Sequence, residues 1–202
     1  MKSVSDCPGA YFRLDADINT DALDQSLCSS SSPFTGNFNG NNKIIKIEIT
    51  DASANGVGLF SFIGSGGTVY DLKVEGSAAG SASNVGVGGL AGYSEGTIER
   101  CTSAVAVSAS GDTVERSSVG GLIGYNAGRV LDSSATGTVT AAAASENIYA
   151  GGLIGYNTEA DVSGCFATGQ VVSGQSAGGT DIGGLIGYNY EAGIDNCYAT
   201  GA

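Results

Sequence analysis

The chain of 202 residues contains no histidine and no tryptophan, two prolines, one methionine, and eight basic residues against twenty acidic ones. Each shortage excludes something. Without histidine there is no imidazole base and the commonest metal ligand is missing; serine–histidine and cysteine–histidine nucleophile pairs are ruled out. A net charge of −12 opposes binding to nucleic-acid backbones and to anionic membrane surfaces. No apolar run is long enough to span a bilayer, and no stretch has the layout of a secretory signal. Neither a nucleic-acid partner nor direct membrane insertion is expected. With so little proline, the 34 glycines, far above the usual ~7%, are neither collagen-like nor a simple linker. They also argue against long helices, because an interior glycine costs roughly 0.5–1 kcal/mol relative to alanine.

What is present is a repeat. The words Gly-Gly-Leu-Ile-Gly-Tyr-Asn stand at 183–189, 151–157 and 120–126, loosely at 88–94, and worn at 58–63. Marked by Leu59, Leu90, Leu122, Leu153 and Leu185, the copies are 31, 32, 31 and 32 residues apart. A period in this range signals units that bury their apolar faces against their neighbours. The copies align in columns. Three residues after the leucine comes an aromatic column, Phe62, Tyr93, Tyr125, Tyr156 and Tyr188, and then a polar one, Ser94, Asn126, Asn157 and Asn189. After a glycine-bearing turn come Val69, Ile98, Val130, Val162 and Ile194, then Leu72, Cys101, Ser133, Cys165 and Cys197. From there, columns at every second position end in Ala78, Val107, Val139 and Val171. That alternation predicts one strand with a buried face of small residues. The spacers 108–118, 140–149 and 172–181 share little and are expected on one face, carrying whatever is specific.

Two short strands, a turn and a variable segment with room for a third strand make each unit. No 3.6-residue apolar pattern appears. The reading is an all-β fold, a parallel β-helix in which equivalent residues stack ~4.8 Å apart. A propeller is the alternative, but its blades take four strands and ~40–50 residues. Residues 57–202 hold five repeats, the last cut short; residues 1–56 form an N-terminal cap and first coils. In that block, 11–18 and 43–50 alternate as strands, 21–27 reads as either a short helix or a loop, and 33–40 is rich in turn residues. Met1–Ser3 reads as an added start and the last residues stop within a repeat, so the chain reads as an excerpt.

The word at 151–157 with Cys165-Phe166-Ala167-Thr168-Gly169, and the word at 183–189 with Cys197-Tyr198-Ala199-Thr200-Gly201, resemble the GLUG repeat family. The resemblance covers about residues 57–201; the copy from Gly120 departs from it at Ser133. Phe12-Arg13-Leu14 and Phe34 to Asn41 look like the opening coil that precedes such repeats. The family occurs in large bacterial and related surface proteins, some adhesin-like, others immunoglobulin A-cleaving metallopeptidases in which the repeats lie outside the zinc site. The resemblance implies a right-handed β-helix and an extracellular or cell-surface setting. It implies no catalysis here, since His-Glu-x-x-His is absent. In such a setting Cys7 and Cys28, which flank the irregular cap, are a disulfide candidate.

The site residues divide between bland and functional readings. Asp15, Asp17, Asn19 and Asp21 fall at alternate positions like the start of a calcium loop, but Thr20 and Ser26 stand where glycine and a bidentate glutamate belong; on a strand the acids are a solvated face. Cys101, Cys165 and Cys197 read as small inward thiols. The Asn126, Asn157, Asn189 column reads as an amide ladder. The tyrosine column reads as an aromatic stack holding the coils together, or, facing outward, as a sugar platform. No cofactor is expected and no catalytic residue is assigned. The expected role is a structural and adhesive module of a large extracellular protein, with protein or carbohydrate partners and end-to-end self-association into a filament. A carbohydrate-binding or carbohydrate-active β-helix is the alternative, with Asp161 and Asp195, or Glu99 and Asp132, as the acid pairs such chemistry would use.

Overall fold

The structure is a computed structural model and describes residues 2–6, 8–82, 85–110, 116–142, 147–174 and 178–201. The chain winds as a parallel β-solenoid of about five coils with three sheets along its length. Each coil begins in the sheet formed by Gly56–Val57, Val85–Gly88, Arg116–Gly120, Asn147–Gly151 and Gly179–Gly183. It turns at the paired glycines into the sheet of Phe60–Ile63, Ala91–Ser94, Ile123–Asn126, Ile154–Thr158 and Ile186–Tyr190. It closes in a larger sheet of 14 strands that also takes in the N-terminal block. These three are called here the corner, tyrosine and long sheets.

The columns read from the sequence are the registers of these sheets. Tyr93 pairs with Phe62 and Tyr125, Tyr125 with Tyr156, and Tyr156 with Tyr188. Val69, Ile98, Val130, Val162 and Ile194 pair in the same way. Leu59, Leu90, Leu122 and Leu153 are fully buried, and the Leu122 and Leu153 amides each donate to the next leucine's carbonyl, at 2.9 and 2.8 Å. Leu185, in the last described coil, is half-buried. The corner needs glycine for close approach: a Cβ on Gly121 would meet the Gly152 carbonyl and lie 2.8 Å from the Ala135 side chain.

Two expectations are corrected. The single alternating strand exists in Thr68–Gly80 and Thr102–Ala109, but later coils break it, as in Ser134–Ala135 and Val139–Ala141. Gly137 lies at the break, where a Cβ would collide with the Val105 carbonyl. The third strand for which the variable segments had room is formed at their C-terminal ends, as the corner-sheet strands, with Ser117 and Ile148 buried. Their middles at 111–115, 143–146 and 175–177 lie outside the described residues. In the N-terminal block, Ile18–Leu23 is a strand rather than part of a helix, and the stretch rich in turn residues runs into Asn37–Asp51, a 15-residue strand. That strand pairs along its length with Thr68–Gly80, and it draws the adjoining segments into β-structure.

The N-terminal end is covered. A short helix, Lys2–Asp6, buries Val4 against the core, and Ser5 Oγ accepts the Cys28 amide hydrogen at 3.0 Å. Among the described residues no helix is long and apolar enough to cross a membrane. A feature the sequence did not announce is a column of left-handed residues at one bend, Asp71, Arg100, Asp132, Gly164 and Asn196, with φ of 52, 49, 46, 67 and 51°. Asn, Asp and Gly tolerate this region. Arg100 is the exception, and it is tethered on one side by Asp71 at 2.7 Å and on the other by Glu99.

Candidate functional site: the outward tyrosine column

The tyrosine sheet carries two ladders on opposite faces. Inward, Asn126 Nδ2 donates to Asn157 Oδ1 at 2.7 Å and Asn157 Nδ2 to Asn189 Oδ1 at 2.8 Å. The same nitrogens donate to Gly128 O, Ala160 O and, from Asn189, Ala192 O. Asn126 and Asn157 are fully buried, and a buried amide must be satisfied in this way. The column is therefore a structural ladder. Ser94, one coil earlier, is too short to join it, and its buried hydroxyl has no hydrogen-bond partner.

Outward, the rings of Phe62, Tyr93, Tyr125, Tyr156 and Tyr188 follow one another at 4.6, 5.3, 5.1 and 5.1 Å. Most of these pairs are nearly parallel, so the ring faces are spent on each other and the edges face solvent. Burial raises the Tyr93 and Tyr156 phenols above their usual range, the neighbouring Tyr125 adds to this, and the Arg116 guanidinium works against it. Tyr149 from the corner sheet stands edge-on to Tyr156 at 5.1 Å and tilted to Tyr188 at 5.3 Å. Arg116 lies 5.9 Å from the ring centres of both Tyr149 and Tyr156, within the range of a cation–π contact. Beside it, Val85, Tyr93, Arg116, Ser118 and Tyr125 line a cavity of about 230 Å³. Of these, only Tyr93 and Tyr125 were singled out from the sequence. Arg116, Ser118 and Tyr149 sit in or beside a variable spacer, and only the strand register reveals them as neighbours.

The remaining candidates are placed as follows. Asp15 pairs with Arg13 at 3.1 Å, and Asp17 Oδ1 accepts the Ile44 amide at 2.9 Å. Among the described residues no group of three or more acidic or thiol side chains converges as a metal site, and Asp15, Asp17, Asn19 and Asp21 are not brought together as one. Cys7 lies outside the described residues; Cys28 is half-buried, with its thiol pushed up by burial. The repeat thiols form a third ladder. The Cys101 amide donates to Ser133 Oγ, that of Ser133 to Cys165 Sγ, and that of Cys165 to Cys197 Sγ. Burial pushes the Cys101 and Cys165 thiols up to about 12, which makes them inert as nucleophiles. Glu99 is paired with Arg100, whose guanidinium is held above its usual range chiefly by the Asp71 hydrogen bond, with Asp132 adding to the effect. Asp161 and Asp195 share a shallow depression with Arg129, and Asp161 accepts the Gly193 amide at 3.2 Å.

With the coils and ladders in view, comparison with known proteins identifies the class of repeat. The GLUG motif matches residues 115–140, 146–172 and 178–202; the chain carries GLUG repeats. These are the coils with the asparagine ladder, and the worn copies before them fall outside the match. No curated protein has a significantly similar sequence. A crystal structure of a "putative immunoglobulin A1 protease" from Bacteroides ovatus superposes with a TM-score of 0.59 at 22% identity, over 98% of this chain and 71% of the other. At that identity the likeness concerns the fold.

Proposed function

We propose that this chain is a structural and adhesive β-helix module of a larger extracellular or cell-surface protein, non-catalytic itself, that presents its faces to protein or carbohydrate partners. The observation carrying this reading is that the described interior is spent on holding coil to coil: the asparagine and thiol ladders run between successive coils and the leucines of the column from Leu59 to Leu153 are fully buried. Strand edges at the ends of a solenoid are suited to stacking on a second copy, and an end-to-end contact that does not close gives a filament. The GLUG repeats, whose resemblance is to surface proteins, support the setting. Antibodies raised against this chain should label intact, unpermeabilised cells of the source organism; labelling only after lysis would overturn the surface reading. Sedimentation and electron microscopy of the isolated chain test the stacking, which strictly monomeric protein at high concentration would exclude.

A second reading, carbohydrate binding, is favoured by one feature: the tyrosine column faces outward beside a cavity holding an arginine.

A further inference from the structure

We propose that the cavity beside Tyr125 binds a terminal sugar that carries a carboxylate, with Arg116 taking the acid group. The inference rests on the carbohydrate-binding reading and gives it a site and a ligand class. It starts from one register of the corner sheet, Gly56, Gly86, Ser118 and Tyr149. These residues lie alongside the aromatic column. At Gly86 the space of a side chain is taken by the Tyr93 ring, 2.7 Å from where a Cβ would stand, and at Ser118 the register leaves the cavity that Val85, Tyr93, Arg116 and Tyr125 complete. In the other direction Tyr149 fills the register and closes it, its ring packed on Tyr156 and Tyr188. A cavity flanked by rings on both sides receives the end of a chain rather than its middle, and about 230 Å³ offers room for a single ring.

The closed end is where the charge sits. Arg116 is held between two tyrosine rings, 5.9 Å from each ring centre, which orient the guanidinium and carry no charge of their own. A guanidinium so held matches a carboxylate with two parallel N–H donors. Ser118 and the phenol edges of Tyr93 and Tyr125 offer the hydroxyl and amphipathic surface that a sugar ring takes. A single acid on a terminal residue also suits a chain of net charge −12 better than a polyanion, because exposed charges beyond about 8 Å are largely screened at physiological salt.

The test is calorimetric titration with three probes: sialyllactose, a disaccharide with a terminal glucuronate, and lactose. Both acid-capped sugars, or the one whose acid reaches Arg116, should bind about tenfold or more tighter than lactose, the worth of one charge-assisted bidentate contact. Arg116 is exposed, so Arg116→Gln should keep the native circular dichroism and reduce the capped sugar to the lactose level. Tyr149→Ala, which opens the closed end, should let an internal stretch of polyglucuronate compete where the native protein discriminates against it. Lactose binding as tightly as the capped sugars, or Arg116→Gln binding the capped sugar unchanged, overturns the inference and leaves the carbohydrate reading standing. Failure of all three sugars to bind overturns both.

Discussion

The first coils and the later coils of this solenoid solve the same packing problem with different material. Between the N-terminal block and Thr68–Gly80 the interior is filled by large side chains. Phe34, Phe38 and Phe60 cluster at 5.1–6.3 Å with edge-on and tilted contacts, beside Ile45, Ile47 and Ile49. In the GLUG coils the same volume is closed by bringing backbone inward. Ala135 and Ala167 face Gly121 and Gly152, where even a methyl group would be crowded. The polar interior there is tied by the asparagine and thiol ladders. The long strands of 15 and 13 residues belong to the first solution and the broken two- and three-residue strands to the second. A solenoid thus tolerates both, provided each coil matches the cross-section of the next.

That contrast can be broken hardest at its aromatic end. Phe60→Ala should cost about 3–5 kcal/mol, since the ring is fully buried among other rings that cannot close over the gap. Leu153→Ala, in the column common to both halves, should cost about 2–5 kcal/mol. Urea titration with a cooperative fit reads both, and an unchanged midpoint for Leu153→Ala would mean that the leucines are not the shared spine. Next comes the ladder of the later coils. Asn157→Ala takes a partner from the buried Asn126 amide and from the Ala160 carbonyl, at about 1–3 kcal/mol for each group left unsatisfied. Ser94 already lacks such a partner, so Ser94→Ala should be close to neutral; comparable losses at the two positions would contradict a ladder confined to the GLUG coils.

The thiols give a pH test. Cys101 and Cys165 keep their protons up to about 12 in the folded chain, whereas in the unfolded chain they titrate near 8.5. Their contribution is therefore whole below pH ~8.5 and is lost as the pH rises toward 12, where unfolding releases protons. The unfolding midpoint should fall over that window, and the fall should be shallower in a Cys101→Ser, Cys165→Ser double variant. The smallest effect belongs to Cys165→Ser at neutral pH. Ser133 already fills this column and makes the equivalent bonds, so the change should stay under about 1 kcal/mol. A larger loss by thermal melting would show that sulfur volume matters.

The coils were legible wherever residue identity repeats. Leu122, Tyr125, Asn126, Val130 and Cys165 recur because each contacts its own counterpart in the next coil, so one physical environment is written several times. The corner-sheet strands were hidden for the opposite reason. Their positions ask only for small or β-branched inward residues, and Ser117-Ser118-Val119 and Ile148-Tyr149-Ala150 meet that demand without resembling each other. The N-terminal strand at Ile18–Leu23 was obscured because its partner, not its own pattern, makes it a strand; its register against Asn37–Asp51 is irregular. The cavity at Arg116 was illegible because it exists only where two unlike segments are laid side by side.

The stacked rings have an optical consequence. With no tryptophan in the chain, near-ultraviolet absorption and fluorescence belong chiefly to nine tyrosines, several of them locked at 5.1–5.3 Å in a fixed twist. Chromophores that close share their excitation, so the row acts as one extended antenna rather than as separate dyes. Its dichroic signal depends on the coils staying in step, and the most exposed ring of the row is Tyr188 at 36%. The molecule thus carries its own light-read gauge of how many coils are in register.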